Sequence, residues 1–218
     1  AEAEDAIAIL KRYGMNAVRI RLFNDPYSEK GEPYGAGTND LETALALAKR
    51  ARKAGLDILL DYHYSDFWAD PGKQFIPKAW KGYSVEELEQ AVYDYTRETL
   101  LAFESKGLLP DMVQVGNELT NGLLWPYGRK PEYDNIARFV SAGIRAVREI
   151  SGQALLAGLR DEKIQVMIHL DNGGNNEMYR DWFDHYVERG EDFDVIGLSY
   201  YPFWHGTFDM LEHNMKDM

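Results

Sequence analysis

The chain has 218 residues, a net charge of −12 from 36 acidic and 24 basic residues, and no cysteine. These numbers allow one full hydrophobic core, yet fall short of the roughly 250 residues of a complete eight-fold barrel. They exclude disulfides, thiolate metal sites and cysteine nucleophiles. With no basic run, they also argue against nucleic acid as a partner. No apolar run approaches the ~18 residues of a membrane span, and the opening Ala-Glu-Ala-Glu-Asp reads as the entry to a helix, not a signal peptide.

Short apolar strands alternate with longer amphipathic helices along the sequence. A helix is predicted over 4–12, with Ile7 and Leu10 inward, stopped by Gly14. A strand follows over 17–23, then a loop over 25–38 rich in Gly and Pro. Asn39 or Asp40 can cap a helix running to Ala54, whose Leu41, Ala44, Leu45 and Ala48 share one face. A strand over 56–62 leads into a loop over 63–84. There Ser84 and Glu87 form a capping box for a helix to Lys106. The spacing then predicts a strand over 112–118, a loop over 119–131 and a helix over 132–151. A strand over 164–169, a helix over 177–189, a strand over 194–201 and a last helix over 208–215 complete the pattern.

One helix followed by five βα units demands a parallel sheet covered by helices. The loops after strands are long and those after helices short, which puts the functional surface at the strands' carboxyl ends. A doubly wound sheet shares the alternation. Polar residues at the ends of all five strands, and not at one switch point, favour a (β/α) TIM barrel. No glycine-rich nucleotide-binding turn follows any strand. The whole of 1–218 reads as one catalytic domain.

The strand-end residues carry the chemistry. Val115-Gly116-Asn117-Glu118 delivers an amide and a carboxylic acid side by side. Glycoside hydrolysis needs such a proton donor with a neighbour that grips the sugar; the bland alternative for Glu118 is a surface cap on the next helix. Arg19 and Arg21, two apart, share a face of their strand. An arginine inside a barrel needs a partner, either to orient a catalytic carboxylate or as a purely structural ion pair. His63, after Asp61-Tyr62, can donate to sugar hydroxyls or to a carboxylate. Trp68 serves either as a sugar-stacking platform or as a loop anchor. His169 and Asp171 close the fourth visible strand, and Tyr200, Tyr201 and Trp204 follow the fifth. His63, Glu118 and His169 lack the local paired spacing of a zinc site, so no metal is assigned. No Gly-x-Ser-x-Gly elbow is present.

The segments GMNAVRIRLFNDPY, LDYHYSDFWADPGKQ, PKAW, VQVGNELTNGLLWPYG, MIHLDNGG and GLSYYPFWHG, in this order, resemble the endo-β-1,4-galactanases of glycoside hydrolase family 53. The resemblance implies a (β/α)8 barrel and retaining hydrolysis of β-1,4-galactan side chains of pectin by a secreted enzyme. It implies Glu118 as acid/base and Asn117 on the sugar 2-hydroxyl. Arg19 and Tyr200 would stand near the nucleophile, with His63, Trp68, His169 and Trp204 lining the substrate cleft. Within the resemblance the five strands are barrel strands two to six, so the domain is expected to be truncated at both ends. The family's nucleophile, a Glu ending the seventh strand, has no counterpart in 202–218, where Glu212 lies in a helical stretch. Galactanase activity of these 218 residues alone would make Asp61 and Asp171 the first candidates for a second carboxylate. No cofactor is expected in these residues; calcium belongs to later loops of full-length bacterial members. Another retaining barrel glycosidase, of mannanase, xylanase or β-galactosidase type, and a non-catalytic carbohydrate binder remain as alternatives.

Overall fold

A computed structural model describes residues 4–35 and 39–218. The end of the loop predicted over 25–38, Gly37 included, lies outside the described residues, as do residues 1–3. Helix α1 (Ala6–Arg12) starts where the Asp5 carboxylate accepts from the backbone N–H of Ile7 and Ala8, satisfying donors that a helix start leaves open. Ile7 packs toward the core. Leu10, expected inward, is instead exposed, because this short helix lies at the margin of the core and buries no residue fully.

Five strands form one parallel sheet: β1 (Ala17–Leu22), β2 (Asp57–Tyr62), β3 (Met112–Val115), β6 (Gln165–Leu170) and β7 (Val195–Leu198). Their order in the sheet follows the order in the chain. A doubly wound sheet reverses direction at a switch point; this one does not, and the chain is a partial (β/α) barrel. Between β3 and β6 the predicted loop holds a 3-10 turn (Leu119–Asn121) and a small antiparallel ribbon of β4 (Gly122–Leu123) and β5 (Gly128–Arg129). Two-residue strands carry too little pattern to be read from sequence.

Helices α2 (Leu41–Lys53), α3 (Val85–Glu104), α4 (Tyr133–Leu156), α5 (Asn176–Val187) and α6 (Phe208–Asp217) complete the chain. Asp40 caps α2 through the Thr43 N–H, and Ser84 with Glu87 forms the full capping box of α3. Among the described residues no helix is long and apolar enough to cross a membrane.

Strand alternation divides the sheet into two chemistries. One face carries Ile20, Leu22, Ile58, Leu60, Tyr62, Val113, Val115, Val166, Ile168 and Leu170 into the core against the helices. Full burial of each large aliphatic chain stabilises by ~1.5–3 kcal/mol. Register places Arg21 beside Asp61, Asp61 beside Gln114, and Gln114 beside Met167. The face away from the helices therefore carries a row of polar groups where the other carries hydrocarbon.

Helix α4 presses directly behind β3. A Cβ on Gly143 would stand 2.7 Å from both Tyr64 Oη and Val115 Cγ1. Tyr64 is buried and shares a 2.7 Å hydrogen bond with Thr96 Oγ1, so it cannot retreat freely. Alanine normally favours a helix over glycine by up to ~1 kcal/mol, but overpacking costs about 1–3 kcal/mol. Gly143→Ala is therefore expected to lower stability by about 1–2 kcal/mol in denaturant unfolding; a stabilised variant would show that β3 and α4 are not in close contact.

Candidate active site

The predicted strand through Glu118 stops at Val115, since Gly116 and Glu118 both have left-handed backbone, with φ of 82° and 49°. A Cβ at Gly116 would lie 2.7 Å from the Leu119 side chain, so glycine is required by both space and angle. Glu118 has no such excuse and holds a conformation sparsely populated by side-chain-bearing residues. Two side chains hold it there. The Glu118 N–H donates to His169 Nδ1 at 3.2 Å, and Gln74 Nε2 donates to the carbonyls of Asn117 and Glu118 at 2.8 and 3.3 Å.

The turn aims the Glu118 side chain into a cleft of about 500 Å3 that Arg19, Arg21, Trp68, Asp70, Ser199 and Tyr201 also line. Burial pushes the Glu118 carboxyl above its ordinary range, aided by the charges of Asp171 and Asp70 and opposed by a hydrogen bond to Ser199 and by Arg19. A raised carboxyl keeps its proton nearer neutral pH, which a general acid requires. Such a group favours folding below its unfolded value of about 4.3, and that contribution is lost as pH rises through the folded value. Glu118→Gln cannot ionise, so its melting temperature should gain on the parent as pH rises through this window. A parent–variant gap that is the same at pH 4 and pH 7 would show that folding does not raise the Glu118 carboxyl.

Beneath the cleft lies a buried polar network centred on Asp61, which is fully shielded from solvent. Its Oδ2 pairs with Arg19 Nη2 at 2.9 Å and accepts from His63 Nε2 at 3.2 Å; its Oδ1 accepts from Gln114 Nε2 at 2.7 Å. Burial would raise the Asp61 carboxyl, but the hydrogen bond from His63 and the charge of Arg19 outweigh it and hold the group below the ordinary carboxylate range. The Ala69 N–H donates to His63 Nδ1 at 3.0 Å, so the imidazole proton sits on Nε2, facing Asp61.

The other predicted residues fall as follows. Asn117 is buried; its Oδ1 accepts from Arg19 at 2.8 Å and its Nδ2 donates to the Ala69 carbonyl at 2.8 Å. His169 is buried, and burial, with Arg19 nearby, lowers its pKa to about 4, leaving it neutral as an acceptor for the Glu118 N–H. Trp68 takes the Arg21 guanidinium 3.9 Å from its ring centroid, a cation–π contact. Tyr200 donates its hydroxyl to the Gly206 carbonyl at 2.6 Å and packs on Phe208, and the neighbouring Tyr201 is the one that lines the cleft. Trp204 is exposed, with its ring edge toward Tyr201 at 5.9 Å. Arg19, His63, Asn117, Glu118 and His169 thus meet at the carboxyl end of the sheet, while Trp204 stands on the loop after β7. Asp171 accepts a hydrogen bond from Thr120.

Gln114 and Gln74 escaped the sequence reading. For Gln114 a signal existed: it is the one polar residue in the strand Met-Val-Gln-Val, at an alternate position facing away from the helices. Gln74, on a long loop, carried none. Among the described residues, no three His, Asp or Glu side chains are grouped to hold a metal ion.

Residues 1–218 match glycosyl hydrolase family 53. The chain belongs to that family. It is 43% identical over its whole length to an uncharacterized protein of Niallia circulans, covering 57% of that protein. It is 38% identical over 98% of its length to the endo-beta-1,4-galactanase of Bacillus subtilis, covering 46% of it. It superposes on the family 53 catalytic domain of Ignisphaera aggregans with a TM-score of 0.91 at 40% identity, covering 99% of this chain and 57% of that one. The chain thus spans about half the length of the curated relatives it matches.

Proposed function

We propose that this family member takes part in endo-hydrolysis of β-1,4-galactosidic bonds, with Glu118 as the proton donor. The observation that carries the reading is the half-buried Glu118 carboxyl, raised in pKa by burial and aimed into the cleft beside Asn117. In a retaining reaction Glu118 would protonate the leaving oxygen, then deprotonate the incoming water once a second carboxylate had attacked the anomeric carbon. Trp68, braced by Arg21, would offer its ring to the apolar face of a galactosyl unit.

The attacking carboxylate is assigned to none of the described residues. Asp61 is consumed by Arg19, His63 and Gln114 below the cleft floor. Asp70 lines the cleft but pairs with Lys73 at 3.1 Å and accepts from the Gly72 N–H. We therefore propose that the described strands are units two to six of a longer barrel, consistent with the half-length match to relatives. The natural substrate would be the galactan side chains of pectin, met outside the cell.

The test is reducing-end release by the intact protein from galactan, mannan and xylan, with the first-formed anomer read by NMR. Galactan cleavage with retained β-configuration is expected. Preference for mannan or xylan would point to another barrel glycosidase, and galactan binding without turnover would point to a carbohydrate-binding protein.

A further inference from the structure

Gln114 lies beneath the cleft with 1% of its surface exposed. Its Nε2 faces three acceptors: Asp61 Oδ1 at 2.7 Å, the Gly116 carbonyl at 2.8 Å and Asn117 Oδ1 at 3.1 Å. Rotating the amide by half a turn would set its oxygen against three oxygens, so the orientation is fixed by electrostatics. Its Oε1 is buried without a hydrogen-bond partner. A buried, unsatisfied amide oxygen costs about 1–3 kcal/mol, and a hydrocarbon side chain of like size would avoid that cost. What holds the residue there in spite of that cost is its Nε2, with one contact to the Asp61 carboxylate and two to its neighbours along the turn.

The consequence appears at Asn117. Its Oδ1 receives two donors, Gln114 Nε2 and Arg19 Nη2, and one Nδ2 hydrogen goes to the Ala69 carbonyl. What remains is the second Nδ2 hydrogen, at a residue lining the cleft. Asn117 can meet a ligand there only as a donor. Flipping it would turn its NH2 toward two donors and its oxygen toward the Ala69 carbonyl.

We propose that Gln114 is a positioning residue that locks the Asn117 side chain as a hydrogen-bond donor toward a sugar hydroxyl oxygen in the cleft. Asp61 serves the same end from below, since one carboxylate anchors both Gln114 and Arg19, the two donors that fix Asn117. The inference rests on the glycosidase reading for its functional meaning, but the amide orientation stands apart from it.

The experiment is a double-mutant cycle on galactan in the full-length protein, with Gln114→Met, which fills the volume and donates nothing, and Asn117→Ala. Gln114→Met alone is expected to lower kcat by about 10- to 100-fold with KM changed far less, the size of a lost orienting hydrogen bond. In the Asn117→Ala background the same change should cost less than about 3-fold, because the group it orients is gone. Equal losses in both backgrounds would overturn the proposal. Neutron diffraction on the unaltered protein supplies a readout that needs neither folding of a variant nor activity. Deuterium on the Gln114 atom facing Asp61 and on the Asn117 atom facing Ala69 is expected; either amide in the reverse orientation would overturn the lock. An inactive full-length protein with both amides as described would sink the glycosidase reading and leave the positioning intact.

Discussion

In the full-length protein, Glu118→Gln should cut hydrolysis of galactan by about 10²–10⁴-fold, the usual worth of a positioned general acid. That corresponds to about 3–5 kcal/mol of transition-state stabilisation. The amide keeps the shape of the carboxyl and can still bond to Ser199, so polymer binding should be nearly unchanged. What it cannot do is give up a proton to the departing glycosidic oxygen. The loss should therefore scale with how much the leaving group needs that proton. Aryl galactosides with acidic phenols should lose little in the glycosylation step, while the polymer loses the full amount. Measuring kcat/KM on both substrate types, with binding followed separately by calorimetry, checks the assignment. Full activity of Glu118→Gln on polymer would remove Glu118 from the acid role, and a uniform loss on all substrates would indicate a distorted cleft.

The architecture was legible because its determinants are local. Gly14, Gly55 and Gly107, each following a helix, all have positive φ in the structure, the conformation that ends a helix most cheaply. The Ser84–Glu87 box marked the start of α3 within one residue. The identity of Glu118 and Asn117 as strand-end groups was legible for the same reason. What the sequence hid is tertiary. Asp61 and Gln114 are 53 positions apart, and only the β2–β3 register makes them neighbours. His63 lines the cleft as read and His169 does not, and each spends a ring nitrogen on the backbone, of Ala69 and Glu118 respectively, which no sequence signal reports. Which of Tyr200 and Tyr201 faces the cleft depends on the path of the loop beyond β7, and no periodicity reports that path.

Asp61→Asn is expected to be the most damaging change beneath the site. Around this carboxylate stand three donors: Arg19 Nη2, His63 Nε2 and Gln114 Nε2. An amide offers one oxygen to them and must turn its own N–H groups against at least one donor. Breaking a buried ion pair from one side costs about 3–5 kcal/mol. Here the Arg19 side chain is 42% exposed and can recover some hydration, so about 2–3 kcal/mol is the better expectation. For a chain of this size each kcal/mol moves the melting temperature by about 2–4 °C, giving a drop of about 4–12 °C at pH 7. The sign with pH follows from the depressed carboxyl. Its stabilisation is present above the unfolded value of about 3.9 and is lost as pH falls through the lower folded value. The gap between parent and variant should therefore be widest at neutral pH and close in strong acid. The variant should also lose turnover, because Arg19 and Gln114 no longer share an anchor from which to hold Asn117. Melting curves across this pH range, set beside kcat on galactan, test both halves. A gap that persists below the folded value would mean that shape, not charge, makes Asp61 indispensable.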